Sequence, residues 1–346
     1  MSQLQTVTGP ISAEEMGVTL VHEHLFNDLS SVVDEPYYGF SKYLVDQEVR
    51  PGLMWGLRQD PYCCADNLAD KPVADVVKEV ASFAELGGRT IVDATGTPAI
   101  GRNPERLLAV AEKTGLNIVM STGAYLEKFE ADRITARSID EQAAEIDRDL
   151  NVGVGDTGIR AGMIGEIGVS PFFTDGEKAS LRAAGLAQTN NPHIALNVHM
   201  PGWQRRGDEV LDILLDECGC APEKVSLAHS DPSGADVEYQ HHLLDRGVWL
   251  EFDMIGLDIT FPKEGISPSV GETVEAVAGL IRAGHVGRLL FSHDLFLKQM
   301  WTQNGGNGFA FVPQVFSGLL EAKGIDPEVV RSVLTKNPVE ILTGEA

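Results

Sequence analysis

The sequence predicts an α/β fold, specifically a (β/α)8 TIM barrel in which residues 1–346 form one domain. With 346 residues and 43% hydrophobic content, the chain can form either one large barrel or two ordinary domains. Short apolar or β-branched runs alternate with longer amphipathic segments, which is the pattern of βα units with parallel strands. The chain contains eight such runs, and eight βα units predict a closed barrel.

The predicted strands follow one another from residue 17 to residue 293. They are Gly17–His24, Thr90–Ala94, Asn117–Thr122, Ala161–Ile167, Ile194–His199, Lys224–His229, Gly247–Phe252 and Arg288–His293. The segments between or after them that predict helices are Val73–Leu86, Pro104–Lys113, Ser138–Leu150, Asp208–Cys218, Val270–Ala283 and Pro327–Leu334. A doubly wound open sheet is the competing architecture, but the glycine-rich loop of its nucleotide-binding form does not follow the first strand.

The acidic composition limits the classes of partner. The formal net charge is −24, and no basic stripe is present to contact a nucleic-acid backbone or an anionic membrane. No segment approaches the roughly 18 consecutive apolar residues that span a bilayer. We therefore expect a soluble, cytoplasmic protein whose partner is a small molecule, with no nucleic-acid or membrane partner.

A long interval, residues 25–71, separates the first predicted strand from the first predicted helix. An interval of this length without regular structure is usually functional or lid-like. It leaves the carboxyl end of the first strand, where barrel active sites are built. We expect this interval to lie over the site.

The first predicted strand ends in two histidines, His22 and His24, which are two residues apart. Residues i and i+2 of a strand project from the same face, so both imidazoles face one point, as metal ligands do. A single histidine near a strand end is more often structural than ligating.

Other predicted strands also end in residues that can ligate a divalent cation. These are Glu166, His199, His229 and Asp294. The carboxyl ends of parallel strands converge on one mouth, so six residues in all would meet there. Each has an alternative structural role, such as an ion pair for Glu166 or a helix cap for Asp294. Because six ligands exceed what one tetrahedral zinc requires, the pattern predicts two metal ions that share a bridging carboxylate and a bridging hydroxide.

Several motifs together resemble the phosphotriesterase family of the amidohydrolase superfamily. They are Thr6-Val-Thr-Gly-Pro-Ile-Ser12, Gly17-Val-Thr-Leu-Val-His-Glu-His-Leu25, Val198-His199, His229-Ser-Asp231 and Ser292-His-Asp294. The resemblance implies a (β/α)8 barrel, a binuclear metal centre, hydrolytic activity and a homodimer. It also implies that His22, His24 and Asp294 hold the more buried ion, and that His199 and His229 hold the more exposed one.

The chain departs from well-known members of that family at two positions. Those members bridge their metals with a carbamoylated lysine on strand four, whereas Gly162-Met-Ile-Gly-Glu-Ile-Gly168 contains no lysine. Glu166 is the remaining bridge, as in the phosphotriesterase-related and resiniferatoxin-binding-like branch that the sequence resembles. The second departure is Met254, where some members carry a proton-relay histidine.

The predicted mechanism is attack by a hydroxide formed from a bridging water, whose pKa two cations lower to near neutrality. Zinc suits this ligand set best, and Mn, Co and Fe are compatible with it. Asp294 is the predicted general base. Asp231 either continues the proton relay or orients His229 as a hydrogen-bond partner.

The predicted substrate contacts are Tyr125, Trp203 and Arg205, with core packing or a surface position as the alternative role for each. We expect hydrolysis of a lactone or a carboxylic ester, with additional activity on phosphotriesters. N-acyl amide hydrolysis is the alternative reaction. A non-catalytic protein that binds small molecules is the alternative of another class.

Overall fold

The computed structural model describes residues 3–345, and eight parallel strands form the centre of the fold. They are β1 (Val18–Glu23), β2 (Gly88–Asp93), β3 (Asn117–Thr122), β4 (Met163–Gly168), β5 (Leu196–His199), β6 (Val225–Leu227), β7 (Trp249–Phe252) and β8 (Leu289–Phe291). Each strand pairs in parallel with the next. After β8, the Asp294 N–H donates to the His22 carbonyl at 3.2 Å, which brings the last strand to the first. The predicted TIM barrel is confirmed.

Helices connect and surround the strands. They span Ala13–Met16, Met54–Leu57, Ala65–Leu68, Val73–Glu85, Pro104–Thr114, Glu127–Thr135, Ile139–Asn151, Asp175–Asn190, Gly207–Leu211, Val237–Asp245, Val270–Arg282, Ser317–Ala322 and Pro327–Thr343. The predicted helix over 208–218 changes to π geometry at Asp212–Glu217. The last helix continues nine residues beyond its predicted end at Leu334 and contains Pro338. Its extension buries Ile341 and Leu342, a non-local contact that the local pattern does not predict.

Three of these helices begin at a capping box that is readable in the sequence. Ser138, Thr174 and Ser269 each accept a hydrogen bond from the backbone N–H of a glutamate three residues later. That glutamate bonds back to the capping residue in each case. Such caps contribute roughly 1 kcal/mol each and set where a helix starts after a loop.

The strands divide their side chains between the apolar core and the site. One core cluster takes a single residue from, or directly before, every strand except β6. These residues are Val21, Val92, Val119, Met163, Ala195, Trp249 and Leu290. Leu4 from the hairpin Gln3–Thr6/Gly9–Ser12 and Ile341 from the last helix pack against it. The buried polar residues at the carboxyl ends of the strands include His22, His24, Glu166, His229 and Asp294.

The interval over residues 25–71 contains short helical turns in place of an irregular loop. Its residues Asn27, Leu29, Tyr62 and Leu68 line the central cavity, so this part agrees with the predicted position over the site. Other residues of the interval, including Tyr37, Tyr43 and Trp55, are exposed. No helix in residues 3–345 combines the length and apolar character needed to cross a membrane.

Candidate metal centre

The structure brings together all six residues predicted as metal ligands. His22 and Glu166 lie within β1 and β4, and His199 ends β5. His24 follows β1 directly, His229 lies two residues beyond β6, and Asp294 lies three residues beyond β8. Five of the six are buried, and His199 is partly buried.

Glu166 lies at the centre of the cluster. Its Oε1 is 3.3 Å from His24 Nε2, and its Oε2 is 3.4 Å from His22 Nε2. The same Oε2 is 2.9 Å from His199 Nδ1 and 3.6 Å from His229 Nε2. One carboxylate oxygen of Glu166 therefore lies near His24, and the other lies near His22, His199 and His229.

Three overlapping groups in the described chain have ligand atoms within 4.8 Å of one another. They are His22, His24 and Asp294; His22, Glu166 and His229; and His22, Glu251 and Asp253. Asp294 Oδ1 is 3.2 Å from His24 Nε2 and 3.9 Å from His22 Nε2. His22 Nε2 is buried without a hydrogen-bond partner in the described chain. A bound cation would satisfy this nitrogen, so the residues fit a metal.

Strand β7 orients His22 and His229. Glu251 Oε1 contacts His22 Nδ1 at 2.7 Å, and Asp253 Oδ1 contacts His229 Nδ1 at 2.9 Å. His24 Nδ1 contacts Thr95 Oγ1 at 2.8 Å. Because the Nδ1 atoms of His22, His229 and His24 have these partners, their Nε2 atoms face the cluster, as in known metal sites.

The sequence analysis missed Glu251 and Asp253. Their signal was the alternation Glu251-Phe252-Asp253 within and just beyond a buried strand, the same spacing that identified His22 and His24. Carboxylates in a strand buried on both faces need partners, so the pair pointed to a polar site.

The cluster favours positive charge. Burial lowers the pKa of His24, but the carboxylates of Asp294 and Glu166 outweigh it and raise the pKa to about 9. The same balance, with Glu166 and Asp253 opposing burial, raises the pKa of His22 well above its ordinary value. Burial raises the pKa of Glu166, but His199 and His22 hold it well below its usual range. A cation placed among these carboxylates meets a favourable field.

Asp231 does not make the contact that one interpretation of the sequence assigned to it. Asp253, and not Asp231, holds the His229 Nδ1. Asp231 instead accepts from the Met254 N–H at 3.1 Å and from Thr273 Oγ1 at 3.4 Å. Burial, with Asp253 nearby, raises the pKa of Asp231 to about 7. Its side chain lies behind the site, outside the residues that line the cavity.

A cavity of about 610 Å³ opens from the cluster and carries both charged and apolar walls. His24, Glu166, His199, His229 and Asp294 form its floor. Apolar walls come from residues that include Leu29, Leu68, Ile100, Phe129, Met200, Leu257, Phe261 and Phe296. Met254, where the resemblance implies a proton-relay histidine in some family members, also lines the cavity.

Two of the three predicted substrate contacts lie in this cavity. Tyr125 lines it, with its hydroxyl 3.4 Å from His199 Nδ1 and its ring edge-on to His199. Trp203 lines it as well and donates from Nε1 to the Ile266 carbonyl at 3.1 Å. Ile266 belongs to the hairpin Thr260–Phe261/Gly265–Ile266, which the sequence analysis did not predict.

Arg205 does not reach the cavity. Its Nε donates to Asp236 at 3.0 Å and its guanidinium lies over Tyr239, on the outer surface. The structure does not place Arg205 with the cavity-lining residues, because its loop turns the side chain toward a neighbouring helix, and its contact with substrate stays a prediction.

Known proteins match this chain over nearly its whole length. The sequence profile of the phosphotriesterase family matches residues 2–342. An N-acetyltaurine hydrolase from Danio rerio is 30% identical over 345 residues, covering 99% of this chain and 98% of that protein.

Two solved structures extend the comparison. A resiniferatoxin-binding protein from Rhodobacter sphaeroides is 38% identical with a TM-score of 0.96, covering 99% of this chain and 95% of that one. A mutant of a PTE-like lactonase from Deinococcus radiodurans is 25% identical with a TM-score of 0.76, covering 98% and 99% of the two chains.

Proposed function

The chain belongs to the phosphotriesterase family, and from this membership and the site geometry we propose that it is a binuclear metal-dependent hydrolase. The bond cleaved is that of a lactone or a carboxylic ester. The observation that carries the proposal is the position of Glu166, whose two oxygens face His24 on one side and His22, His199 and His229 on the other.

The ligand set supports two cations: His22, His24 and Asp294 would hold one, His199 and His229 would hold the other, and Glu166 would serve both. Divalent cations bound there would supply a hydroxide nucleophile at neutral pH and would polarise the scissile carbonyl. Imidazole-rich ligation with carboxylates suits zinc.

The protein's own groups handle the proton and the substrate. Asp294 forms part of the cavity floor. Its carboxylate therefore accepts the proton released on attack and returns it to the leaving group. The Tyr125 hydroxyl, beside His199, is placed to donate to the carbonyl oxygen of a substrate. Trp203 and Phe261 form an aromatic wall against its apolar part.

Glu166 also supports membership of the branch with a bridging glutamate. A glutamate carboxylate spans two cations directly, and strand β4 contains no lysine that could be carbamoylated. The 38% identity to a resiniferatoxin-binding protein agrees with this placement.

Hydrolysis of an N-acyl amide is the second candidate reaction. It is favoured by the relative from Danio rerio that is named N-acetyltaurine hydrolase. The lactone and ester proposal has the support of the PTE-like lactonase structure. Both reactions use the same nucleophile on an acyl carbon, so the cavity wall decides between them.

A substrate panel tests the proposal. Protein loaded with zinc, manganese or cobalt is incubated with γ- and δ-lactones, aryl esters, N-acyl amino acids, N-acetyltaurine and paraoxon. We expect turnover of a lactone or ester that a chelator abolishes and added metal restores. The Asp294→Asn variant is the matched control, because it keeps the cavity and removes the base.

The outcomes separate the proposals. Preferential turnover of N-acyl substrates would support the second candidate. Absence of metal-dependent turnover of any substrate would contradict the hydrolase and favour a protein that only binds small molecules.

A further inference from the structure

Glu23 lies between the two histidines of β1 and has no role in the metal cluster described above. Its side chain is buried, with 0% of its surface exposed. It turns toward the segment after β8, where Oε1 accepts from Ser292 Oγ at 2.8 Å and from the His293 N–H at 3.0 Å. Its Oε2 accepts from the Leu295 N–H at 3.0 Å.

Three further contacts complete this network. Ser292 Oγ accepts a hydrogen bond from the His22 N–H at 3.0 Å. The Ser292 hydroxyl therefore donates its hydrogen bond to Glu23. His293 Nε2 accepts from the Val312 N–H at 2.9 Å, and its Nδ1 therefore donates to Glu23 at 2.6 Å. All four contacts of the Glu23 carboxylate are thus with donors.

The segment that Glu23 holds contains Asp294 in an unfavourable backbone conformation. Asp294 has φ of +54°, in the left-handed region that residues other than glycine seldom adopt. Such a conformation persists only where its surroundings impose it. Glu23 bonds the residues on both sides of Asp294, namely His293 and Leu295.

We propose that Glu23 is a positioning residue whose carboxylate holds the turn that directs Asp294 at the metal centre. The inference rests on the proposed function, in which Asp294 is both ligand and base. Glu23 acts through Asp294 and touches no reacting atom. It also joins β1 to the turn after β8, so the carboxylate couples His22 and His24 to Asp294 across the barrel closure.

The proposal requires both oxygens of Glu23 to be acceptors. In Glu23→Gln one oxygen becomes an NH2 group, which faces a donor at either Ser292 and His293 or Leu295. The matched control is Glu79→Gln. Glu79 is also buried and accepts from the Thr302 N–H at 2.6 Å and from Thr302 Oγ1 at 3.0 Å, farther along the same connection.

The test measures hydrogen exchange in the metal-free protein and zinc affinity by competition with a chromogenic chelator. In Glu23→Gln we expect the amides of His293 and Leu295 to exchange at least about tenfold faster, and zinc affinity to fall about 10- to 100-fold. In Glu79→Gln faster exchange should be confined to Thr302 and its neighbours, with zinc affinity close to wild type.

Unchanged exchange at His293 and Leu295 in Glu23→Gln would overturn the proposal, and so would an unchanged zinc affinity. If Glu23→Gln does not fold, Ser292→Ala removes one of the four contacts and is judged by the same two readouts. If the wild-type protein binds no divalent cation, the proposed function fails, while the exchange data still decide whether Glu23 holds the turn.

Discussion

Asp294 differs from the other ligands because it is expected both to hold a cation and to move a proton. Asp294→Asn keeps an oxygen that can ligate but loses the basic carboxylate. We expect metal content close to wild type and kcat lowered about 10²- to 10⁴-fold, the usual contribution of a general base. Metal analysis and steady-state kinetics on the same sample measure both effects.

His22→Ala is the contrasting variant. His22 belongs to all three groups with ligand spacing, so its loss should remove metal together with activity. Full turnover by Asp294→Asn would exclude Asp294 as the base. Wild-type metal content in His22→Ala would exclude His22 as a ligand.

Trp203 and Arg205 are two residues apart but have different surroundings, which yields a second prediction. Trp203 lines the cavity, so Trp203→Ala should raise KM about tenfold or more through loss of aromatic contact. Arg205 forms an exposed ion pair with Asp236, worth roughly 0–1 kcal/mol. Arg205→Ala should therefore change KM less than about threefold. Comparable KM increases in both variants would show that Arg205 contacts the substrate.

Strand β7 orients His22 and His229 at once, and this predicts a shared effect on metal affinity. In Glu251→Gln and Asp253→Asn the contacts to Nδ1 weaken while the volume is kept. We expect each variant to bind zinc about 10- to 100-fold more weakly. The control is Glu217→Gln, which alters an exposed ion pair with Arg182 on the outer layer. Competition titration that finds wild-type affinity in both β7 variants would contradict the orienting role of this strand.

At the scale of single strands and loops, sequence spacing predicted the contacts between residues close in sequence, and it did not predict contacts between residues on different elements. His22 and His24 were identifiable because a strand has a period of two, and their rings lie 5.4 Å apart in the structure. The partner of His229 was not identifiable in the same way. Asp231 is closer in sequence, but Asp253 reaches His229 because neighbouring parallel strands bring β7 beside β6. The direction of the Arg205 side chain was not predictable from its neighbours in sequence, because a loop side chain depends on distant partners such as Asp236.

At the scale of the whole molecule, the barrel was predicted from the alternation of apolar runs with amphipathic segments and from the number of those runs, eight. Eight runs with helices between them leave few ways to bury their apolar faces, and each predicted strand is present within a few residues. The barrel then carries Glu166, His199, His229 and Asp294 to one end. The hairpin at Thr260–Ile266 was not predicted, because its two-residue strands are too short to show a period.

Lys71 links global stability to pH. Its Nζ donates to Asn27 Oδ1 and to the Phe296 carbonyl, and burial lowers its pKa to about 7. Between about pH 7 and pH 10 the unfolded chain keeps a proton that the folded chain lacks, so this residue makes stability rise with pH. Lys71→Met should reduce that rise by on the order of 3 kcal/mol. Urea unfolding at about pH 7 and about pH 9.5 gives the change in the free energy of unfolding between the two pH values for the wild type and for Lys71→Met. The same change in both proteins would contradict the lowered pKa of Lys71 as its cause.

Glu166 is proposed to lie between two cations. Metal content per chain, determined by elemental analysis of zinc-saturated wild-type protein and of Glu166→Ala after removal of free metal, tests this directly. We expect about two ions per chain in the wild type and fewer than two in the variant. An unchanged stoichiometry in Glu166→Ala, or no bound metal in the wild type, would contradict the proposed binuclear site.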